Sequence, residues 1–281
     1  MVNTMIKSLA PHNGKISQEL SHPDPARKRK ESLYPYGLLL LLLLLWQGVC
    51  SIGLVPAFLL PSPLNVARAF WFALPELVNH SGITLLESLL GLFFGLLSAF
   101  ILAVLMDSSR FLYQGIYPIL VVSQTVPTVA LAPLLVLWLG YGILPKIVLV
   151  ALVCFFPLAV SLLSGFRSID PDTLGLFKAM GANRRQIFRH LKLPGALPGF
   201  FAGLRVSVTY AIVGGVIAEW LGGQAGLGVY MTRVRKAYAY DKMFAVIVLI
   251  IILSLALIKI VDLLERRVNR WQYASEEKFS E

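Results

Sequence analysis

The chain has 281 residues, of which 57% are hydrophobic and 14% charged, and its 25 Lys and Arg outnumber its 15 Asp and Glu to give a formal net charge of +10. This composition excludes a soluble globular domain and indicates a polytopic membrane protein. In a soluble chain this excess of cations would suggest nucleic-acid binding. In a membrane protein the distribution of cations among the loops instead indicates which loops face the cytoplasm.

Residues 1–33 form a polar N-terminal segment rich in Lys, Ser and Pro. Their apolar content is too low for a packed core, so we expect a mobile basic tail in the cytoplasm. The leucine run at 38–45 follows this tail, as in a secretory signal, but five more apolar runs come after it. We therefore expect an uncleaved first membrane span.

Six apolar runs are each long enough to cross the hydrocarbon core as a helix, which takes about 20 residues. They lie near residues 35–55, 82–106, 114–139, 146–164, 198–219 and 243–263. The sequence therefore predicts an all-α polytopic membrane protein with six transmembrane helices. The transmembrane domain is expected over 34–265, followed by a short cytoplasmic tail at 266–281.

Between the first two spans, Pro61-Ser62-Pro63 introduces a segment whose apolar residues crowd one side. Phe70 and Trp71 in this segment are side chains that suit the membrane interface. We expect the segment to lie flat on the outer surface of the membrane.

Pro127 and Pro133 lie within the third apolar run, and each removes a backbone hydrogen-bond donor within a span. Such breaks are tolerated at membrane depth where the backbone is buried in protein or lines a cavity. Pro127 and Pro133 are therefore candidates for a translocation path. Kinking of the helix without substrate contact is the alternative interpretation.

Burying a charge in hydrocarbon is costly, so ionisable residues inside the predicted spans need explanation, among them Glu87, Arg205 and Glu219. Glu87 and Glu219 are expected toward the outer face, and Arg205 about two turns into the fifth span from the cytoplasm. Glu87 and Glu219 are candidates for lining a translocation path. Snorkelling to the interface explains all three residues equally well.

A basic, amphipathic segment at 170–194 separates the fourth and fifth spans. Asp170 can cap a helix that has Pro171 in its first turn, and Gly181 is the residue type that ends one. The pattern predicts a first short helix over 171–180, with Leu174 and Phe177 on one face.

A second short helix is predicted from Asn183, with Pro194 stopping it. Its apolar side would carry Ile187, Phe188 and Leu191, opposite a basic side. Two helices joined at a glycine would form a rigid, bent knob with apolar tips. An interfacial helix lying on lipid headgroups is the alternative interpretation of the same pattern.

Basic residues cluster in the N-terminal tail, in the segment 170–194 with its flanks, and in the C-terminal tail. With six spans these three clusters fall on one side of the membrane. The positive-inside rule then places both termini and the knob in the cytoplasm.

One outer loop departs from this rule because it carries Arg233, Arg235 and Lys236 beside Tyr238 and Tyr240. Exposed cations with aromatic residues suit recognition of an acidic protein surface, so this loop is a candidate docking site for a binding protein. Contact with anionic headgroups is the alternative.

The sequence carries no G-x-x-x-x-G-K-[ST] phosphate loop, H-E-x-x-H, C-x-x-C or nucleophile elbow, and its four histidines are scattered. These absences argue against an enzyme and against a metal site. A transport protein without a phosphate loop must obtain the free energy for transport from a separate ATPase or from an ion gradient.

The segment 175–194 resembles the signature cytoplasmic loop of ABC importer permeases, whose pattern is E-A-A, three residues, Gly, nine residues, Ile-x-Leu-Pro. Gly181 supplies the glycine, and residues 191–194 (LKLP) stand at the Ile-x-Leu-Pro positions. Residues 175–177 (GLF) replace E-A-A, so any contact made by the missing Glu is absent.

Two further matches narrow the resemblance to the nitrate, sulfonate and taurine type permeases. One is 127–134 (PTVALAPL) with 138–140 (WLG), and the other is 218–222 (AEWLG) with 226–228 (GLG). Together the matches cover about residues 60–265. The last pair is most similar to permeases for the thiamine precursors formylaminopyrimidine and hydroxymethylpyrimidine, with sulfonate, taurine or nitrate permeases as the alternative.

This resemblance implies a bacterial inner-membrane permease working as a homodimer, with two ATPase subunits that use ATP, an extracytoplasmic binding protein, and no cofactor in this chain. The residues expected to couple the permease to the ATPase are Leu174, Phe177, Gly181, Ile187, Phe188, Leu191 and Pro194. An ion-coupled secondary transporter is the alternative from another class; it should show paired intramembrane charges or repeat halves, and the sequence makes neither evident.

Overall fold

The computed structural model of the protein describes residues 34–56 and 58–269, and every regular element in these ranges is helical. In chain order the helices are α1 (Tyr34–Ser51), α2 (Pro63–Phe72), α3 (Leu74–Ser108), α4 (Arg110–Ser123), α5 (Thr128–Leu139), α6 (Leu144–Arg167), α7 (Pro171–Ala179), α8 (Arg184–Ile187), α9 (Leu193–Gly222), α10 (Leu227–Lys236) and α11 (Tyr240–Val268), with a π-helical turn (Phe188–Lys192) between α8 and α9. The all-α prediction is confirmed. The tail predicted at 1–33 and the residues from 270 onward lie outside the described ranges.

The chain divides at Pro56 into two units. The first contains α1, an apolar helix of 18 residues whose leucines at 38–45 are all exposed. Its length and hydropathy make it a candidate membrane span, as predicted.

The second unit contains α2 to α11, and its candidate spans are α3, α6, α8 continued through α9, and α11. Helix α3 has 35 residues, which is about 52 Å of helix. It begins at Leu74 rather than near residue 82, because Pro75 stands in its first turn and needs no donor there. The predicted interfacial segment is thus limited to α2, where the Ser62 hydroxyl accepts a hydrogen bond from the Asn65 amide.

The predicted third span is broken into α4 and α5, whose axes meet at 99°. The chain turns at residues 124–127, and Pro127 precedes the first residue of α5. Pro133 lies inside α5 without ending it. The structure therefore confirms a backbone break at Pro127, whereas Pro133 is accommodated within the helix.

Glycines of α3 allow it to pack closely against α6, and the order of the contacts shows that the two helices run parallel. Gly91 of α3 lies against Val150 of α6, and Gly95, one turn later, lies against Cys154. A methyl group on Gly95 would sit 3.1 Å from the Cys154 Cβ, so a small residue is needed for this approach. Because α3 and α6 run parallel, α4 and α5 must return the chain to the end where α3 began, and the bent pair acts as one crossing.

Helix α6 lies between α3 and α9 and supplies most of the apolar core at their contact. Val150, Cys154 and Leu158 are fully buried there with Ala99 of α3 and Ala211 of α9. Cys154 is a free cysteine, and its thiol donates to the Ser207 carbonyl of α9 at 3.3 Å. Outside this core the surface is lined by exposed Leu, Ile, Val and Phe side chains, which suits a hydrocarbon environment rather than water.

Candidate functional site

The first half of the predicted knob has the expected geometry. The Asp170 carboxylate accepts hydrogen bonds from the Asp172 and Thr173 amides, and Thr173 also donates its hydroxyl to it at 2.9 Å. This hydroxyl, together with the two amides, lowers the pKa of Asp170, which therefore remains a charged cap at neutral pH. Helix α7 ends before Gly181, which adopts φ +78°, a conformation that favours glycine.

The exposed apolar tip of α7 is not the pair that the sequence singled out. Leu174 and Phe177 are half-buried, whereas Leu176 and Met180 are 60% and 76% exposed. Leu176 and Met180 are four residues apart and so lie on one side of the knob. That spacing could have indicated Leu176, which the sequence analysis did not select.

The second half of the knob differs from the prediction. The helix begins just after Asn183, as predicted, and Asn183 and Gln186 form a reciprocal capping box there. Pro194, however, does not stop the helix: α8 continues through the π-helical turn into α9. The physical reason is that Pro194 occupies the first turn of α9, where its missing N–H is not needed, while the π-helical turn absorbs the change in helical phase.

Ile187 and Phe188 face the protein's own helices rather than the outside. Ile187 is 8% exposed, and the Phe188 ring lies 5.4 Å from that of Phe166 in a cluster with Leu162 and Ala196. Leu191 and Pro194 are likewise half-buried. The apolar side of the second helix therefore attaches the knob to the bundle, and this corrects the expectation that it provides an outward tip.

Two contacts link the knob and its flank to neighbouring helices. Lys192 in the π-helical turn donates to both carboxylate oxygens of Asp107 at the end of α3, at 2.6 and 2.8 Å. The Arg167 guanidinium lies 3.3 Å over the Tyr113 ring of α4, which stacks on Tyr117. These partners could not be identified from the sequence because they are distant along the chain.

Glu87 forms a buried ion pair with Lys146, and their closest atoms are 2.6 Å apart. The two side chains are only 3% and 7% exposed. This is a paired intramembrane charge of the kind that the sequence did not make evident, because 59 residues separate the partners. It joins α3 to the first turn of α6.

Glu219 is also buried and holds the start of α10. Its carboxylate accepts hydrogen bonds from the Thr84 hydroxyl at 2.7 Å and from the Gly228 amide. The Thr84 oxygen in turn accepts from the Leu227 amide at 2.8 Å. A Cβ on Gly226, which has φ +123°, would overlap the Glu219 carboxylate. Glu219 thus has a demonstrable structural role, because it satisfies backbone donors at a helix N-terminus.

Arg205 of α9 forms ion pairs with acidic residues of α11. Its guanidinium contacts Glu265 and lies 3.3 Å from Asp262. These acidic residues follow the apolar part of α11, so the arginine reaches toward the end of that helix. The contact gives Arg205 a role in joining α9 to α11.

A cavity of about 350 Å³ adjoins the bend between α4 and α5. Gln124 and Thr128 line it from the bend, Phe156 and Pro157 from α6, and Tyr210 from α9. The remaining lining residues are Val153, Val213, Gly214 and Ile217. The two prolines predicted to mark a path are not in its wall, although Pro127 immediately precedes Thr128.

The cations of the outer loop lie at the end of α10. Arg233, Arg235 and Lys236 are all exposed, while Tyr230 and Val234 of the same helix are buried against the bundle. Burial raises the pKa of Tyr230 to about 12, so this residue stays neutral at physiological pH.

Two aromatic rings follow the cations of α10. Tyr238, which adopts φ +57°, and Tyr240 have ring centroids 6.4 Å apart. The predicted docking residues thus form a compact exposed group beside these two rings.

Comparisons with known proteins agree with this arrangement. Residues 91–270 match the family described as "Binding-protein-dependent transport system inner membrane component". A probable ABC transporter permease of Haemophilus influenzae is 38% identical over 80% of this chain and 92% of its own length. The formylaminopyrimidine transport permease ThiX of Halalkalibacterium halodurans is 32% identical over 88% of this chain and 98% of its own length.

The fold is also found in solved transporters. The inward-facing methionine ABC transporter MetNI matches with a TM-score of 0.63 at 22% identity, covering 70% of this chain and 97% of that one. The relatives in this family are permease subunits rather than enzymes. ATP is used by a separate ATPase subunit of the transporter. The chain therefore belongs to the family of binding-protein-dependent inner-membrane transport components and is the permease subunit of an ABC importer.

Proposed function

We propose that this permease imports a pyrimidine precursor of thiamine, formylaminopyrimidine or hydroxymethylpyrimidine. The observation that carries the proposal is the similarity to ThiX, which extends over 98% of that protein. The riboflavin permease RibX of Chloroflexus aurantiacus, at 36% identity over 88% of its length, supports riboflavin as a second candidate. Aliphatic sulfonates and taurine are alternatives supported by SsuC of Bacillus subtilis at 30% identity and TauC of Escherichia coli at 31%, and nitrate is an alternative from the sequence resemblance alone.

Coupling to the ATPase is proposed to occur through the tip of α7. Leu176 and Met180 are exposed apolar side chains on a helix that a charged cap and a glycine turn hold in shape. An exposed apolar pair on a rigid element suits insertion into a groove of a partner. Leu174 and Phe177 would complete that contact, while Ile187 and Phe188 would carry its displacement into the bundle.

The permease is proposed to work as a homodimer that uses one face of α9. Val206, Tyr210, Val213 and Trp220 on this helix are between 42% and 48% exposed, and Ile217 is half-buried among them. Their spacing of four, three, four and three residues forms a continuous stripe, as in paired helices. A second copy would cover this stripe.

The extracytoplasmic binding protein is proposed to dock on the exposed end of α10. Arg233, Arg235 and Lys236 form no ion pair within the part of the chain that the structure describes, and they stand beside Tyr238 and Tyr240. Cations at the rim of an interface increase the rate of encounter with an acidic surface. Contact of the same residues with anionic lipid is the alternative that the test must separate.

Both termini are proposed to lie in the cytoplasm of a bacterial cell, with the permease in its inner membrane. Six crossings, counting α4 and α5 as one, place both ends of the chain on the same side. The basic residues of the two tails and of the knob favour the cytoplasmic side.

The proposal is tested by reconstituting the permease with its ATPase and binding protein in proteoliposomes. Uptake of labelled hydroxymethylpyrimidine, riboflavin, taurine and nitrate is measured with and without ATP. We expect ATP-dependent uptake of the pyrimidine. Uptake of taurine or nitrate in its place would reject the proposed substrate, and uptake driven by an ion gradient without ATPase would reject ATP coupling.

A further inference from the structure

We infer that the cavity at the bend between α4 and α5 is a binding site for an uncharged, hydrogen-bonding ring compound, and that it does not bind a free anion. This inference deepens the proposed function and rests on it, because it assigns the transported solute a place within the permease. Its basis is the combination of unpaired polar groups, aromatic surface and absence of charge in the cavity wall.

The polar groups of the wall are available to a ligand. The side chains of Gln124, Thr128 and Tyr210 have no hydrogen-bond partner within residues 34–56 and 58–269. Nearby hydroxyls behave differently: Thr125 donates to the Val122 carbonyl at 2.7 Å, and Thr209 donates to the Arg205 carbonyl at 3.2 Å. Gln124 and Tyr210 are exposed and Thr128 is half-buried, so a solute in the cavity can reach all three groups without displacing an intramolecular hydrogen bond.

The chemistry of these groups defines what they can bind. The Gln124 amide offers two donors and an acceptor, and the Thr128 and Tyr210 hydroxyls each donate and accept. Phe156 and Tyr210 add aromatic faces against which a planar ring can pack. A volume of about 350 Å³ lies within the range of small-molecule sites, which is about 300–1,000 Å³.

The cavity wall has no charged side chain that could pair with an anionic solute. No Lys, Arg, His, Asp or Glu is among the lining residues. The cations of α6 and α9 are engaged elsewhere: Lys146 by Glu87, Arg167 by the Tyr113 ring, and Arg205 by Asp262 and Glu265. A sulfonate or nitrate would therefore lose its hydration without gaining a counter-charge, which is costly in a low-dielectric site.

The start of α5 supplies only a partial charge. Its first-turn amides, at Thr128 and beyond, carry a helix-dipole charge of about half a unit. That suits a ring nitrogen or a carbonyl oxygen but does not neutralise an anion. The α9 stripe proposed for the homodimer shares Tyr210, Val213 and Ile217 with the cavity wall and contains no charged residue.

The test measures uptake of labelled hydroxymethylpyrimidine by the complete importer, with binding protein and ATP, across a series of variants. Thr128→Val and Gln124→Leu each remove one hydrogen-bonding group from the cavity and are expected to weaken apparent affinity for pyrimidine uptake about 2- to 10-fold. Thr128→Ser keeps the hydroxyl and should restore near wild-type uptake. The matched controls are Thr125→Val and Gln114→Leu, whose residues do not line the cavity and which should leave the apparent affinity unchanged.

The outcomes separate this inference from the proposed function. If pyrimidine uptake is intact and Thr128→Val and Gln124→Leu behave like their controls, the cavity is not the site, although the proposed function stands. If the wild-type importer transports taurine or nitrate instead, the proposed function fails. In that case, dependence of anion uptake on Gln124 and Thr128 would also overturn the assignment of the cavity to an uncharged solute.

A second measurement distinguishes loss of solute binding from loss of folding. Basal ATP hydrolysis by each variant complex, measured without binding protein, should equal that of the wild type if only solute binding is affected. A variant that loses both activities is replaced by Tyr210→Phe, which removes one hydroxyl from an exposed side chain. Unchanged uptake in Tyr210→Phe together with unchanged uptake in Gln124→Leu would overturn the inference.

Discussion

The Lys192 ammonium contacts both carboxylate oxygens of Asp107, at 2.6 and 2.8 Å, and thereby joins the π-helical turn beside the knob to the end of α3. The two side chains are 22% and 11% exposed, so water screens the pair only in part. Because α3 runs beside α6 and carries Thr84 and Glu87 at its other end, a displacement of the knob can reach both ends of the bundle through one helix.

This ion pair should be required for coupling. Lys192→Ala or Asp107→Ala should reduce ATP-dependent uptake, and the exchange of the two residues, Lys192→Asp with Asp107→Lys, should recover part of it. A double-mutant cycle on the unfolding of the purified permease should give an interaction of about 0.5–3 kcal/mol. Lys178→Ala, which removes an exposed cation from the same segment, is the control. Equal losses in the control and in Lys192→Ala would contradict this role.

The tip of α7 should decide whether the ATPase stays bound. Leu176→Asp and Met180→Asp each place a charge in the proposed apolar contact and should weaken ATPase binding about 30-fold, as for a central interface residue. Binding is measured by titrating the ATPase onto the permease in nanodiscs. Leu176→Met and Met180→Leu keep the apolar surface and should bind normally, and undiminished binding of both Asp variants would reject the contact.

Gly181 should be needed for its backbone conformation rather than for its size. Gly181→Val places a β-branched residue at φ +78°, and we expect loss of transport with normal membrane insertion. Gly175→Val is the matched control, since a Cβ at either glycine meets no atom within 4 Å. Transport that survives Gly181→Val, measured beside the control, would mean that the knob does not depend on this turn.

Glu219 should be most important for stability at the start of α10. Glu219→Leu leaves the buried Gly228 amide without its acceptor and should cost about 1–3 kcal/mol, whereas the Thr84 hydroxyl keeps the His80 carbonyl as an acceptor at 3.3 Å. Gly226→Ala should also lower the melting temperature, because its Cβ would overlap the carboxylate. The measurement is thermal unfolding of the purified permease. Gly82→Ala, on an open face of α3, is the control and should melt no lower than the wild type, because alanine favours the helix more than glycine does.

The exposed cations of α10 should act through the rate of binding-protein association. Reversal of Arg233, Arg235 and Lys236 to Glu should slow association and flatten its dependence on salt, because rim charges act mainly on encounter. Stopped-flow mixing of the binding protein with permease nanodiscs across a salt titration provides the measurement. Reversal of Arg266 and Arg267, at the opposite end of α11, should have no effect. Unchanged association in the first variant would leave only lipid contact for these residues.

The sequence by itself determined the fold class, the family and the outline of the knob, because these depend on local chemistry. Apolar runs of fixed length specify spans whatever their neighbours are. Asp170, Pro171 and Gly181 specify where α7 begins and ends through their own backbone preferences. The interruption at Pro127 followed in the same way from the donor that proline lacks.

Only the tertiary structure decided which side chains face outward and which are paired. The sequence placed Ile187 and Phe188 at the tip, but packing against Phe166 turns them inward, and it is Leu176 and Met180 that are exposed. Glu87 was an isolated charge in the sequence, whereas the fold supplies Lys146 from 59 residues away. Helical periodicity defines the faces of a helix but not their neighbours, so partners brought together by long-range packing could not be found from the sequence alone.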